Sequence, residues 1–291
     1  MEDLSEFQES IGKARVLIEA LKYIKIFYGK TIVIKYGGNA MIDENLKENV
    51  ILDIVLMKYV GMNPVIVHGG GPEISEVMEK MGKKAQFVKG LRVTDGETMA
   101  IAEMVLGRIN KRIVALINQH GAKAVGLSGK DAGLISAEKY KSDVDIGFVG
   151  NVSRIDPGII NVLDKEGFIP VITSIGVGSD GQTYNINADS VAGEMAAALK
   201  AEKLIVLTDV RGIMHDQKDI GTLVSTLKIS EIDPLIKSSV ISGGMLPKVE
   251  ACITALRGGV RKTHIIDGRI IHSLLLEIFT DSGIGTQIIN E

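Results

Sequence analysis

Pro64-Val65-Ile66-Val67-His68-Gly69-Gly70-Gly71-Pro72 carries a β-branched run straight into three glycines and a proline. The apolar run reads as a buried strand, and the glycines let the chain turn sharply with its N–H groups exposed. Pro72 suits the first position of a helix, where a missing donor costs nothing. Strand, turn and helix start together form a cup of N–H donors with a favourable dipole, which is a place for an anion. Upstream, Thr31-Ile32-Val33-Ile34-Lys35-Tyr36-Gly37-Gly38 repeats the pattern and adds a lysine at the strand's end. Two glycine turns and a lysine point to phosphoryl transfer.

Further apolar runs at 123–128, 168–173, 203–208 and 263–267 alternate with helical patterns. That alternation predicts an α/β fold, a largely parallel central sheet with helices on both faces. Residues 130–160 break the rhythm, with Gly147, Gly150 and Pro157 among polar residues, and read as β-hairpins on one edge. Before the first strand, residues 10–28 predict a helix. Ala14, Leu17, Leu21, Ile24 and Tyr28 fall three and four apart and share one apolar face. Glu2, Glu6 and Glu9 before it and Lys22 and Lys25 near its end suit the helix dipole. Such a face needs burial, on its own lobe or on another chain.

A chain of 291 residues fits one large α/β unit or two lobes sharing a sheet, and a hydrophobic fraction of 45% supplies a sizeable core. The net charge of −3 gives no footprint for nucleic acid or an anionic membrane. No apolar stretch approaches the roughly 20 residues that span a bilayer. The acidic start Met1-Glu2-Asp3-Leu4-Ser5-Glu6 reads as neither signal nor transit peptide. Cys252 is the only cysteine, so an internal disulfide or a cysteine zinc site is excluded. A reducing compartment, most simply the cytoplasm, follows.

Several familiar patterns fail on context. Gly29-Lys30-Thr31 ends like a P-loop, but Ile24 stands where the first glycine belongs. Gly176, Gly178 and Gly181 spell a dinucleotide fingerprint, yet Gln182 to Asn187 delay the helix and no acidic residue ends a strand about 20 positions on. His68-Gly69-Gly70-Gly71 resembles a lipase oxyanion turn, but no Gly-x-Ser-x-Gly elbow occurs. Four features remain. Lys35 meets a glycine turn, and Gly69 to Gly71 exceed what most turns require. Asn185-Ile186-Asn187-Ala188-Asp189-Ser190 clusters short polar side chains before an apolar helix, more than capping needs. Ser242-Gly243-Gly244-Met245-Leu246-Pro247-Lys248 enters a helix with lysine in its first turn, where a cation opposes the dipole and calls for an anionic partner.

Together these residues closely resemble the amino acid kinase family, and within it the acetylglutamate branch, over roughly residues 15–291. The marks are Lys35-Tyr36-Gly37-Gly38-Asn39-Ala40-Met41, His68-Gly69-Gly70-Gly71-Pro72, Gly90-Leu91-Arg92-Val93-Thr94-Asp95, Tyr184-Asn185-Ile186-Asn187-Ala188-Asp189 and Gly243-Gly244-Met245-Leu246-Pro247-Lys248. The first and last are shared widely in the family, whereas the third and fourth are specific to the branch. Gly107-Arg108-Ile109-Asn110 lies in a helix slightly shorter than is usual there and touches no expected site residue.

The resemblance implies an open αβα sandwich with an N-terminal interaction helix (1–29), an amino-acid-binding lobe (30–202) and an ATP-binding lobe (203–291). It implies transfer of the ATP γ-phosphoryl group to the side-chain carboxylate of N-acetyl-L-glutamate, in arginine synthesis, with Mg²⁺ arriving on the nucleotide and no metal site in the chain. Lys35 and Lys248 would hold the moving phosphoryl group, with Gly38 and Gly70 as N–H donors and Asp189 orienting both lysines. Gly70, Gly71, Arg92, Asn185 and Asn187 would contact the amino acid. Gly37, Gly38, Thr208, Asp209, Gly243 and Gly244, with the two lysines, would hold ATP. Relatives inhibited by arginine share the N-terminal helix, which links dimers into a hexamer, a trimer of dimers. The resemblance extends this effector site to Tyr23, His264, Glu277, Gly283 and Gly285, although Lys22 stands where many relatives carry proline. Two other readings stay open. One is a kinase for aminoadipate on an acidic carrier protein, although few basic residues beyond Lys83, Lys84, Lys89 and Arg92 surround that segment. The other is a non-catalytic amino-acid sensor, against which both lysines and Asp189 argue.

Overall fold

A computed structural model describes residues 7–41 and 43–291. The acidic run with Glu2 and Glu6 lies outside the described residues. The chain runs through α1 (Gln8–Phe27), β1 (Thr31–Tyr36), α2 (Glu44–Tyr59), β2 (Asn63–His68), α3 (Gly71–Lys80), β3 (Phe87–Val88), β4 (Leu91–Arg92), α4 (Gly96–Gln119) and β5 (Ala124–Leu127). It continues through β6 (Ile135–Lys139), β7 (Val149–Ile155), α5 (Gly158–Lys165), β8 (Ile169–Thr173), β9 (Ile175–Val177), β10 (Thr183–Ile186) and α6 (Ala188–Ala198). Last come β11 (Lys203–Thr208), β12 (Thr226–Lys228), α7 (Ile229–Lys237), α8 (Leu246–Arg257), β13 (Lys262–Asp267), α9 (Ser273–Ile278) and β14 (Thr286–Ile289).

Eight strands form the central sheet in the order β12-β14-β13-β11-β1-β2-β8-β5. The six from β13 to β5 are mutually parallel and are the six apolar runs of the sequence. They read as continuous apolar runs because helices cover both faces. β14 runs against β13, and β12 is parallel to β14, so that edge is reversed. Alternation along each strand then sorts the core. Ile32, Ile34, Tyr36, Ile66, Ile205 and Leu207 pack with α2, α3, α4 and α9. Val33, Val65, Val67, Leu204 and Val206 pack with α6 and α8. Lys35 shares the face of Val33, which directs it towards α6 and α8.

The region 130–160 departs from its expected place. β6 and β7 do pair antiparallel, but they close a separate four-stranded ring with β9 and β10 rather than lying on the sheet edge. Glycines make so small a ring possible: a Cβ at Gly150 would lie 2.6 Å from the Cβ of Tyr184, and one at Gly176 2.7 Å from Ile186 Cδ1. The segment before α6 that reads as a delay is thus largely β10.

α1 also departs from one reading of its apolar face. Leu17 and Leu21 are 73% and 45% exposed, so the face up to Leu21 does not pack on its own chain, while Tyr23 and Ile24 are half-buried and Phe27 is buried. Glu9 in its first turn and Lys25 in its last match the dipole.

One buried charge ties the halves together behind the sheet. Asp53 on α2 is fully buried and accepts a hydrogen bond from His272 Nδ1 at 2.7 Å, just before α9. Burial pushes its carboxyl up to about 6, against the opposing pull of His272 and of the α9 N–H groups. A carboxyl raised in the folded state stabilises the fold at low pH and loses that contribution as pH rises from its unfolded value towards 6. Relative to wild type, Asp53→Asn should therefore gain stability between pH 4 and pH 7, on the order of 3 kcal/mol. Denaturant titrations of both proteins at the two pH values measure this, and a gap that does not change with pH contradicts it.

Candidate active site

The site lies at the carboxyl ends of β1, β2 and β11. The chain leaves β1 for β2 on one side, and β11 pairs on the other, so a crevice opens where ligands of open α/β sheets are received. Lys35 is the penultimate residue of β1 and is buried, as is Asp189 in the first turn of α6. Lys35 Nζ stands 3.1 Å from Asp189 Oδ1, and Lys248 Nζ lies 3.0 Å from Oδ2. Lys248 sits in the first turn of α8, so its anionic partner is a carboxylate of the chain itself. Burial pushes the Asp189 carboxyl up, but the two ammonium groups outweigh it and hold the pKa below the usual value. Two cations on one anion leave this cluster an excess positive charge.

Glycines shape the space around the cluster. A Cβ at Gly37 would lie 2.5 Å from Lys35 Nζ, so only glycine leaves the ammonium in place. Gly38 has φ +72°, a conformation few side chains tolerate, and its turn approaches the Asp209 backbone N–H. At Gly70 a side chain would strike Ile109 and Leu106 of α4.

Two cavities flank the cluster. One, of about 200 Å³, is lined by Gly69, Gly70, Gly71, Arg92, Ser174, Asn185, Asn187 and Ala188. Arg92 is 7% exposed and donates through Nη2 to Gly71 O (2.7 Å) and Ser75 Oγ (2.8 Å), while its Cζ lies 4.8 Å from the Phe87 ring centre. Among the described residues no carboxylate pairs with it. A buried guanidinium so placed requires an anion. Asn185 donates to Thr94 Oγ1 at 3.3 Å, and the Asn187 side chain accepts from Asp189 N–H at 2.7 Å, capping α6. The other cavity, of about 410 Å³, is lined by Thr208, Asp209, Gly244, Lys248, Arg211 and Arg269, among others. Gly243 lies in the same turn at φ +53° without lining the cavity. A polyphosphate fits this donor-rich set.

A third cavity, of about 640 Å³, opens between α1 and the C-terminal segment, and Tyr23, His264, Glu277, Gly283 and Gly285 all line it. Glu277 Oε1 lies 2.5 Å from His264 Nδ1, and Oε2 accepts from the Ile284 N–H at 3.1 Å. Burial pushes the His264 imidazole down, against the opposing pull of Glu277. Tyr23 meets Phe279 edge-on at 6.2 Å.

Several contributors escape a sequence reading. Arg211, Arg269 and Lys203 line cavities but read as ordinary loop or strand charges. The segment Gly107-Arg108-Ile109-Asn110 does touch the site, since Ile109 crowds Gly70 and Asn110 contacts His68. An asparagine among the apolar Leu106, Ile109 and Ile113 was the available signal.

Known proteins place this geometry. The sequence profile of the amino acid kinase family matches residues 30–267. An acetylglutamate kinase from Pelotomaculum thermopropionicum is 62% identical over 95% of this chain and 97% of its own. Another, from Desulforamulus reducens, is 58% identical over 97% and 99%. Among solved structures, N-acetylglutamate synthase from Neisseria gonorrhoeae, complexed with coenzyme A and N-acetyl-glutamate, superposes with a TM-score of 0.85 at 26% identity. That match covers 96% of this chain, which spans only 63% of the synthase. With a profile spanning both glycine turns and Lys248, and near full-length relatives, the chain belongs to the amino acid kinase family.

Proposed function

We propose that the chain transfers the γ-phosphoryl group of ATP to the side-chain carboxylate of N-acetyl-L-glutamate, the second step of arginine biosynthesis. The observation that carries this reading is Asp189 holding Lys35 and Lys248, which come from opposite halves of the chain, on one carboxylate between two cavities. Near full-length relatives that are acetylglutamate kinases support the substrate.

In this reading residues 30–202 receive the amino acid and residues 203–291 receive ATP. A carboxylate oxygen of the amino acid bonds to the γ-phosphorus, the bond to the β-phosphate oxygen breaks, and ADP leaves. The attacking carboxylate is ionised at neutral pH, so no general base is needed. The task of the chain is to position the reactants and meet charge on the transferring group. Lys35 and Lys248 supply the charge, and Asp189 fixes where both ammonium groups stand. Gly38 and Gly70 donate N–H groups. Arg92 grips the α-carboxylate, with Gly71, Asn185 and Asn187 against the rest of the substrate. Thr208, Asp209 and Gly244 line the cavity that receives the phosphates, and Gly37 and Gly243 belong to the glycine turns that border it. Mg²⁺ arrives with the nucleotide and neutralises part of its charge. ATP as substrate and a single buried thiol suit the cytoplasm. No helix among the described residues is long and apolar enough to cross a membrane.

The third cavity supports feedback by arginine. Glu277 faces the guanidinium, the turn at Gly283–Gly285 faces the carboxylate beside His264, and Tyr23 closes the site from α1. The exposed Leu17 and Leu21, which share one face of α1, pair with the same helix of a neighbour and join dimers into a hexamer. Arginine thereby favours a less active ring.

Turnover of ATP with N-acetylglutamate tests the central reading; Lys35→Ala or Lys248→Ala should lower kcat by roughly 100-fold or more. Near wild-type rates in either variant reject the assignment. Arg92→Lys should chiefly raise the KM for the amino acid, since a point charge cannot replace a planar fork. A change confined to the KM for ATP moves Arg92 to the other half of the site. Removing residues 1–26, which keeps the buried Phe27, should give an active dimer insensitive to arginine. Light scattering that still shows a hexamer, or unchanged inhibition, defeats the regulatory part.

A further inference from the structure

His68 ends β2 directly before the glycine turn and has no exposure to solvent. Its Nδ1 lies 2.9 Å from Gly69 O, and its Nε2 lies 3.2 Å from Asn110 Nδ2. The same Asn110 nitrogen lies 2.9 Å from Val171 O on β8. A carbonyl oxygen only accepts, so the amino end of the Asn110 amide must face Val171. One of its hydrogens goes there and the other meets His68 Nε2. That nitrogen therefore carries the lone pair, and the proton sits on Nδ1, where it is donated to Gly69 O. Both neighbours demand the same tautomer. Burial also pushes the imidazole pKa down to about 4, so the ring is neutral at working pH. Space for the arrangement is reserved on β5, where a side chain at Gly126 would collide with Asn110 Oδ1.

The acceptor in this chain is the carbonyl of the Gly69–Gly70 peptide. The peptide is trans, so its N–H points opposite to its C=O. Holding Gly69 O against His68 aims the Gly70 N–H away from the core. That N–H has no partner among the described residues, and Gly70 lines the cavity beside Asp189. The flanking peptides are tied, Gly69 N–H to Tyr36 O at 3.3 Å and Gly70 O to Ile74 N–H at 2.9 Å. With glycine on both sides, the peptide between them keeps more freedom to rotate than a substituted pair would, and its own tie is the contact with His68.

We propose that His68 and Asn110 are positioning residues. Asn110 fixes the tautomer of His68, and His68 fixes the plane of the Gly69–Gly70 peptide, so that the Gly70 N–H is held ready for the transferring phosphoryl group. This rests on the role given to Gly70 under the proposed function. An oriented donor gains most when charge develops on its acceptor, so the relay acts on kcat more than on substrate binding.

Two measurements on the full chain test it. Two-bond ¹H–¹⁵N spectra of the histidine-labelled protein should show His68 as the Nδ1–H tautomer, untitrated from pH 5.5 to 8.5. An Nε2–H tautomer or a titrating ring overturns the relay, whatever the acceptor substrate and whether or not any variant folds. The second compares His68→Asn, which returns an amide donor near the place of Nδ1, with His68→Gln, whose amide reaches the place of Nε2. His68→Gln should lose about 10- to 100-fold in kcat with both KM values within about threefold, and His68→Asn should keep most of the rate. Equal losses in both, tracking their melting temperatures, make His68 a filler of the core and reject the proposal. Absence of wild-type turnover with N-acetylglutamate counts instead against the proposed function.

Discussion

Everything at the crevice depends on one carboxylate being unable to stay buried alone. Asp189 is nearly inaccessible, and an isolated charge there would cost several kcal/mol or become protonated. It remains ionised because Lys35 comes from β1 and Lys248 from α8, one lysine from each half of the chain. The constraint runs both ways. Each buried or half-buried lysine has Asp189 as its carboxylate partner, so the charges of all three groups are held together. The cluster keeps a surplus positive charge where a polyphosphate and a carboxylate, both anions, have to approach each other.

The surrounding fold serves to bring these groups to one level. Parallel strands put their carboxyl ends on one side, and the two-residue alternation sends Lys35 to the face that α6 and α8 cover. Glycine then clears the way. Gly37 makes room for an ammonium group and Gly70 for the packing of α4. Arg92 follows a different logic. It is held by a carbonyl, a hydroxyl and an aromatic face, none of which neutralises it, so its charge stands uncompensated beside the smaller cavity.

Much of this was legible in the chain. All six apolar runs lie in the central sheet, because a strand buried on both faces is apolar along most of its length. The few polar residues it carries, such as Lys35 and His68, stand near the carboxyl end where the site lies. Lys35 and Lys248 stood out as cations at glycine turns, where a bland reading is weak. The ring of β6, β7, β9 and β10 did not stand out, since short strands rich in glycine carry neither a long apolar run nor a clean alternation. The apolar stripe on α1 was legible, but its exposure was not, because periodicity gives a face and not its partner. Asn110 and His68 were opaque for another reason. Their relation exists only where α4 crosses the end of β2, forty-two positions apart in the chain.

The central sheet runs without a break through β11 and β1, paired from Ile32 with Lys203 to Lys35 with Val206. The two cavities are therefore joined by a ladder of backbone hydrogen bonds and not by a linker. A hinge would have to break that ladder, whereas a change in strand twist would only deform it. A change in the separation of the two cavities therefore has to pass through the twist of one continuous sheet.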